Sequence, residues 1–192
     1  VATAGFALLK ARLPGKLTGH REREKDLAMA LTTGSAAPDF ALPTKTADGP
    51  KQIKLSDYRG KQPVVLLFVP MAFTGTCTEE LCGVSQSMNR YSSLNAAVLG
   101  ISGDNPFAQE AWAQKEHITF PLLSDYEHKV AVAYGVAYDS FLPQLGLDMG
   151  GVAKRSAFLI DKEGVIQYAE VNDDARVLPD FEALVAKLQT LA

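Results

Sequence analysis

Cysteine is scarce in this chain: two residues in 192, Cys77 and Cys82. Two are too few to staple a disulfide-rich small domain, and their close spacing points to redox or catalytic use. Histidine is scarce as well. His20, His117 and His128 are scattered without metal-ligand spacing, so each is expected on the surface and no metal is expected. Positive charge is not in excess. The 19 Lys and Arg are outnumbered by 22 Asp and Glu, with both signs interspersed, which speaks against a nucleic-acid partner. No apolar run suits a membrane span. The longest, Val64 to Phe73, has about ten residues and contains Pro70, against the roughly twenty a spanning helix needs.

What is present fits one globular domain. The chain is 47% hydrophobic, enough for a substantial core. Residues 1–28 stand apart. Apolar Val1 to Leu9 precede Lys10, Arg12, Lys16, Arg21, Arg23 and Lys25, the reverse of a secretory signal. Acid-free until Glu22 but serine-free too, the segment only faintly matches an organelle transit peptide. We expect an appendage at 1–28, a domain at 29–192 and a cytoplasmic location, with organelle targeting by 1–28 left open.

Periodicity gives the order of elements. Asp39 to Leu42 alternates as a short strand, Thr44 to Pro50 reads as a turn cluster, and Gln52 to Leu55 alternates again. Ser56 to Gly60 reads as a helical turn closed by glycine. Val64 to Val69 is apolar on both faces, as in a fully covered central strand. Thr76-Cys77-Thr78-Glu79 fits a capping box that opens a helix reaching Asn89 or Ser92. Ala97 to Ser102 is a second buried strand. Asp104 or Asn105 caps the next helix, with Pro106 first in it and Phe107 and Trp112 assigned to the core. Thr119 to Leu123 is a short strand and Glu127 to Tyr134 a short helix. Ala137 to Gly151 lacks periodicity yet is apolar around Phe141 to Leu147, suiting core packing, a dimer contact or an active-site wall. Ser156 to Ile160, a turn at Asp161 to Gly164 and Val165 to Tyr168 form a hairpin; Leu178 to Leu191 is an amphipathic helix. The succession βαβα, hairpin, helix predicts an α/β thioredoxin-like fold, a central mixed sheet flanked by helices.

The two cysteines follow the central strand. A thiol in the first turn of a helix meets roughly half a positive charge and unpaired N–H groups, which favour the nucleophilic thiolate. Thr74 can place a hydroxyl beside it, and the Pro70 ring can shield it from water. The nearby charges, Glu79 and Glu80, are acidic, so any cation must come from elsewhere in the chain.

Pro70-x-x-x-Thr74-x-x-Cys77 is the P-x-x-x-T-x-x-C motif of peroxiredoxins. The resemblance runs from about Gly34 to the C-terminus, including Phe120-Pro121-Leu122-Leu123-Ser124-Asp125 and Arg155-x-x-Phe158-Leu159-Ile160-Asp161. The chain is most similar to the bacterioferritin-comigratory-protein (PrxQ) and AhpE-like branches. The resemblance implies a thiol-dependent peroxidase that reduces hydrogen peroxide and organic hydroperoxides. Cys77 attacks the peroxide and becomes a sulfenic acid, while Thr74 and Arg155 hold the substrate. Glu80 matches the glutamate of the family's C-T-x-E. No prosthetic cofactor is implied; thioredoxin or a similar dithiol serves as reductant, and the protein is a monomer or homodimer. The F-R-D or L-R-D triplet usual in those branches is absent, since its arginine would fall at Ser85.

The resemblance also makes Cys82 the resolving thiol, as PrxQ-like proteins carry theirs five residues on. Five helical steps separate two Cα atoms by roughly 8–9 Å, beyond the ~7 Å a disulfide spans, so the bridge requires local melting. Two alternatives stay open: an inert Cys82, with an external thiol resolving Cys77, and a thiol–disulfide oxidoreductase, against which the missing C-x-x-C argues.

Overall fold

The computed structural model describes residues 29–191, so the expected appendage, 1–28, lies outside the described residues. An antiparallel hairpin, β1 (Ala41–Thr46) and β2 (Gly49–Lys54), leads into a 3-10 turn at Leu55–Tyr58. Gly60 then turns with φ +72°, a conformation that suits glycine. Next come β3 (Val64–Phe68), α1 (Gly75–Gln86), α2 (Met88–Ser92), β4 (Ala97–Ser102), α3 (Pro106–Glu116) and β5 (Leu122–Ser124). The chain finishes with α4 (Lys129–Ala133), β6 (Arg155–Ile160), β7 (Ile166–Asn172) and α5 (Phe181–Gln189).

Five strands form one mixed sheet in the order β5-β4-β3-β6-β7, with β3, β4 and β5 parallel and β6 and β7 antiparallel to their neighbours. Its central strand is β3, buried along its whole length. Because strand side chains alternate, β3 feeds two cores. Val65, Leu67 and Val69 pack with Leu81 and Val84 of α1, Trp112 of α3 and Leu184 and Leu188 of α5. Val64, Leu66 and Phe68 pack with Val130 and Tyr134 on the α4 side and with Phe40 and Leu55 from the N-terminal hairpin. The continuous apolar run of the sequence is therefore a strand covered on both faces, as expected.

Helix starts follow capping chemistry. The Asn105 side chain accepts from the N–H groups of Phe107 (3.1 Å) and Ala108 (3.0 Å), with Pro106 at the first helical position, where no N–H is needed. Asp180 accepts from Ala183 N–H at 2.9 Å and opens α5.

Four expectations need correction. The turn expected over Thr44 to Pro50 is confined to its centre: the β1–β2 ladder continues to the Thr46–Gly49 pair, and Thr44 is buried. The helix at Cys77 starts earlier, capped by the backbone of Thr74, and breaks at Ser87, so the Thr76/Glu79 capping box is not made. The Ser87 hydroxyl donates back to the Gly83 carbonyl at 2.9 Å, a local bond that competes with helix continuation. Phe107 is 61% exposed instead of core, on the outer side of the first turn of α3. Segment 137–151 is not core packing either. It doubles back through Ala137–Ala153 and Phe141–Met149 bridges and leaves Leu145 and Leu147 exposed. His117 is exposed as expected, whereas His128 is half-buried against Gly103 and Gly151, where an added Cβ would lie within 2.3 and 3.0 Å of its ring.

Leu81 is fully buried between α1 and the sheet. Leu81→Ala is expected to lower the unfolding free energy by about 2–5 kcal/mol, the range for a large-to-small change in a packed core. Urea denaturation of the two proteins measures it.

Candidate active site

The site lies where β3 gives way to α1. Pro70 is buried just beyond the strand and turns the chain into the loop Met71 to Thr74. Thr74 is the N-cap of α1, extended in backbone (φ −89°, ψ 149°). Its hydroxyl donates to the Met71 carbonyl at 2.9 Å rather than capping the helix. The hydroxyl hydrogen is thus occupied while the oxygen's lone pairs can still accept. The Thr74 side chain does not cap α1, and among the described residues the first-turn amides, including that of Cys77, have neither an intrahelical nor a side-chain partner. Cys77 is the third residue of the helix and is 1% exposed.

Helical periodicity sets the rest. Cys77, Glu80, Leu81 and Val84 follow the i, i+3, i+4, i+7 pattern and form the buried face of α1. Cys82, turned roughly 140° from Cys77 around the axis, falls off that face. It is half-buried, and its thiol donates to the Glu116 carbonyl at the end of α3 (3.4 Å). Burial, and then the nearby Glu116 carboxylate, push the Cys82 thiol up from its ordinary value. Both cysteines are free thiols in one continuous helix.

Arg155 supplies the cation that the local sequence lacks. Antiparallel pairing of β6 with β3 sets Ser156 opposite Phe68, so Arg155 arrives beside the end of β3, where the helix carrying Cys77 begins. Although 78 residues away in sequence, its Nη2 lies 3.3 Å from Cys77 Sγ. Nη1 pairs with the Glu80 carboxylate, and Nε donates to the Ala175 carbonyl at 2.8 Å. The guanidinium is 1% exposed, so its three anchored nitrogens fix it against rotation. Burial acts to lower the Arg155 value, but the neighbouring Glu80 and Cys77 outweigh it and raise it overall.

Glu80 is not the solvated first-turn acid that its position alone would allow. It is 2% exposed, and its Oε1 has no hydrogen-bond partner among the described residues. Burial pushes its carboxyl up to about 7, against the opposing pull of Arg155. The structure thus brings Cys77, Glu80 and Arg155 into direct contact, with Pro70 and Thr74 in the preceding loop. Cys82 is left apart. Trp112 is fully buried, as expected, but sequence reasoning missed that its indole N–H donates to Thr78 Oγ1 at 3.1 Å and ties α3 to the first turns of α1. A buried tryptophan needs a partner for its N–H, but nothing in the sequence says which one.

The raised Glu80 carboxyl predicts a pH-dependent stability. Between about pH 4.5 and about 7 the folded protein holds a proton on Glu80 that the unfolded chain does not, so stability falls as pH rises through that window. Glu80→Gln is expected to flatten that slope, which urea unfolding at a series of pH values across the window measures.

Comparison with known proteins gives the family. The family model described as "AhpC/TSA family" matches residues 33–169, a span that holds Pro70, Thr74, Cys77, Glu80, Cys82 and Arg155. "Putative peroxiredoxin ycf42" of Porphyra purpurea is 36% identical over 150 residues, covering 74% of this chain and 70% of that protein. "Peroxiredoxin Q, chloroplastic" of Triticum aestivum is 39% identical over 138 residues, 72% of this chain and 58% of that one. Among solved structures, peroxidoxin BcpB from Mycobacterium tuberculosis aligns with a TM-score of 0.70 at 28% identity, over 84% of this chain and 99% of that chain. The thioredoxin-like α/β fold expected from the order of elements is the one these structures share. A thiol held against a buried arginine, on a chain matched from its N-terminal hairpin into its last strand, belongs to the AhpC/TSA family of peroxiredoxins and is a thiol-dependent peroxidase.

Proposed function

We propose that Cys77 is the peroxidatic residue and that Arg155, Thr74, Pro70 and Glu80 serve it. The observation that carries this reading is the 3.3 Å contact between Arg155 Nη2 and Cys77 Sγ, both side chains being buried. The Cys77 thiolate donates an electron pair to the terminal oxygen of ROOH. The S–O bond forms as the O–O bond breaks, and RO⁻ takes up a proton to leave as water or alcohol. Arg155 and the uncapped first-turn amides stabilise charge that develops on the peroxide oxygens. Thr74 Oγ1 accepts the hydrogen bond of the bound hydroperoxide, since its own hydrogen is given to Met71. Pro70 limits water at the sulfur. Glu80 holds the guanidinium in place and acts through it.

Cys77 is then a sulfenic acid that a thiol must resolve, and Cys82 is the internal candidate. Its bridge to Cys77 requires the first turns of α1 to unwind, which breaks the Trp112–Thr78 and Cys82–Glu116 bonds and lifts Leu81 from the core. Gly83 lowers that barrier, because glycine weakens a helix interior by up to ~1 kcal/mol. A second reading has its own support: α1 is unbroken through both cysteines and directs Cys82 toward α3, which suits a one-cysteine enzyme resolved by an external thiol. The chemistry uses no prosthetic group. A dithiol such as thioredoxin is the proposed final reductant, and the active unit a monomer or homodimer. Among the described residues no helix is long and apolar enough to cross a membrane. Several relatives bear the word chloroplastic in their names, which keeps organelle targeting by residues 1–28 beside the cytoplasmic reading.

Stopped-flow peroxide consumption tests the assignment: Cys77→Ser is expected to be inactive, and undiminished turnover would falsify it. Intact mass after one equivalent of peroxide separates the two routes. Loss of two hydrogens marks the internal disulfide, and gain of one oxygen marks a sulfenic acid awaiting an external thiol. For the internal route, Gly83→Ala has open space for its methyl. It is expected to slow disulfide closure about fivefold, from ~1 kcal/mol of added helix stability, and to leave the peroxide step unchanged.

A further inference from the structure

The loop that presents the cysteine is held from across the sheet. Between Pro70 and Thr74 the chain passes through Phe73 at φ +61°, a left-handed conformation that a bulky side chain adopts only where its surroundings enforce it. Two hydrogen bonds enforce it. One is local, from Thr74 Oγ1 to the Met71 carbonyl. The other is long-range: the Ala72 N–H donates to the carboxylate of Asp104 at 2.8 Å.

Asp104 is itself anchored from the ends of β4 and β5, and its Ser102 partner is held in turn from α3. Ser102 Oγ, at the end of β4, donates to the same carboxylate oxygen at 2.8 Å. Ser124 Oγ, at the end of β5, donates to the Asp104 backbone carbonyl at 2.6 Å. The buried Gln109 of α3 donates from Nε2 to Ser102 Oγ at 2.9 Å and to the Leu123 carbonyl at 2.8 Å. Asp104 also directly precedes Asn105, the N-cap of α3, where the helix dipole favours a negative charge. A carboxylate accepting from a backbone N–H is a strong, short hydrogen bond, and here its own support is rigid.

We propose that Asp104 is a positioning residue for the peroxidase reaction: through Ala72 N–H it fixes the Pro70 to Thr74 backbone, and so sets where the Thr74 oxygen and the first-turn amides meet the peroxide. Asp104 touches neither sulfur nor substrate. The inference rests on Cys77 as the peroxidatic residue and adds to it a constraint that comes from outside the motif. Without Asp104 the backbone at the left-handed Phe73 keeps only the local Thr74–Met71 hydrogen bond, and the Phe73 ring keeps its contact with Trp112 (centroids 6.2 Å apart), so the loop loses its one long-range backbone tie.

The test compares two reactions of the same sulfur. Peroxide reduction needs the loop aligned on both oxygens, whereas alkylation by iodoacetamide needs only a reachable thiolate. Asp104→Ala is expected to lower the second-order rate with hydrogen peroxide on the order of 10- to 100-fold, the scale of a misplaced positioning group. The iodoacetamide rate should stay close to wild type, while the thermal midpoint falls modestly because the Ala72 N–H and Ser102 hydroxyl lose their acceptor. Asp104→Asn retains an oxygen for Ala72 N–H and is expected to recover most of the peroxide rate. An unchanged peroxide rate in Asp104→Ala overturns the proposal, as does a proportional fall of both rates. If Asp104→Ala does not fold, Ser102→Ala decides: it removes one donor from the carboxylate, and a selective loss of the peroxide reaction supports the proposal while a wild-type rate overturns it. Wild-type protein inert to peroxide would instead overturn the Cys77 assignment, and the proposal with it.

Discussion

The arrangement depends on one buried guanidinium. Arg155 is held under the sheet surface with three nitrogens committed to the Ala175 carbonyl, the Glu80 carboxylate and the Cys77 sulfur. Removing an arginine from water is costly, and it is tolerated only where its donors are met and its charge is balanced. Glu80 supplies the balance, the chain just beyond β7 supplies the carbonyl, and Cys77 takes the remaining side. Each of these groups reaches Arg155 for a separate structural reason. Glu80 shares the inner face of α1 with Cys77, Ala175 follows β7, and Arg155 itself opens β6 opposite the end of β3. The mixed sheet is therefore what converts a distant pair of residues into a site.

The same arrangement places two acceptors in competition for one cation. Glu80 is more deeply buried than a stable carboxylate would prefer, with one oxygen unpaired among the described residues and its carboxyl raised to about 7. Burial thus works against the Glu80 charge that balances Arg155, while the guanidinium favours it. Whenever Glu80 carries a proton, the positive charge of Arg155 is available to the sulfur undivided. A more solvated glutamate would keep its charge and a larger share of the guanidinium. On this argument the burial of Glu80 matters as much as its identity.

Much of this was legible in the sequence, and what escaped did so for definite reasons. The β3 run, the glycine at position 60 and the Pro106 helix start were readable because each rests on a local preference. The Pro70, Thr74 and Cys77 spacing and the Arg155 segment carried the family. The capping box at Thr76 misled because Thr74 also qualifies as a cap, and the chain begins the helix at the earlier residue. Phe107 misled because hydrophobicity alone does not tell which side of a first helical turn faces solvent. The Asp104–Ala72 bond was not readable at all: it joins the end of one strand to the loop after its neighbour, and only the parallel β3–β4 register brings them together.

That register also separates the two tasks of α1. Its first turn must be rigid, because the amides and Thr74 are held from below by a loop tied to Asp104 and from the side by Trp112 bonded to Thr78. Its second turn carries Cys82 and Gly83 and faces the end of α3, where the Ser85 hydroxyl accepts from Thr119 N–H at 3.1 Å and the Cys82 thiol donates to the Glu116 carbonyl. A thiol is a weak donor, so this is the least costly bond along the helix to give up. If Cys82 resolves Cys77, the unwinding begins most cheaply from Cys82 and Gly83 and moves toward Cys77, not outward from the sulfenic acid. The anchors on the first turn would then be the last to release, and the peroxide site would keep its geometry until the resolving thiol has already moved.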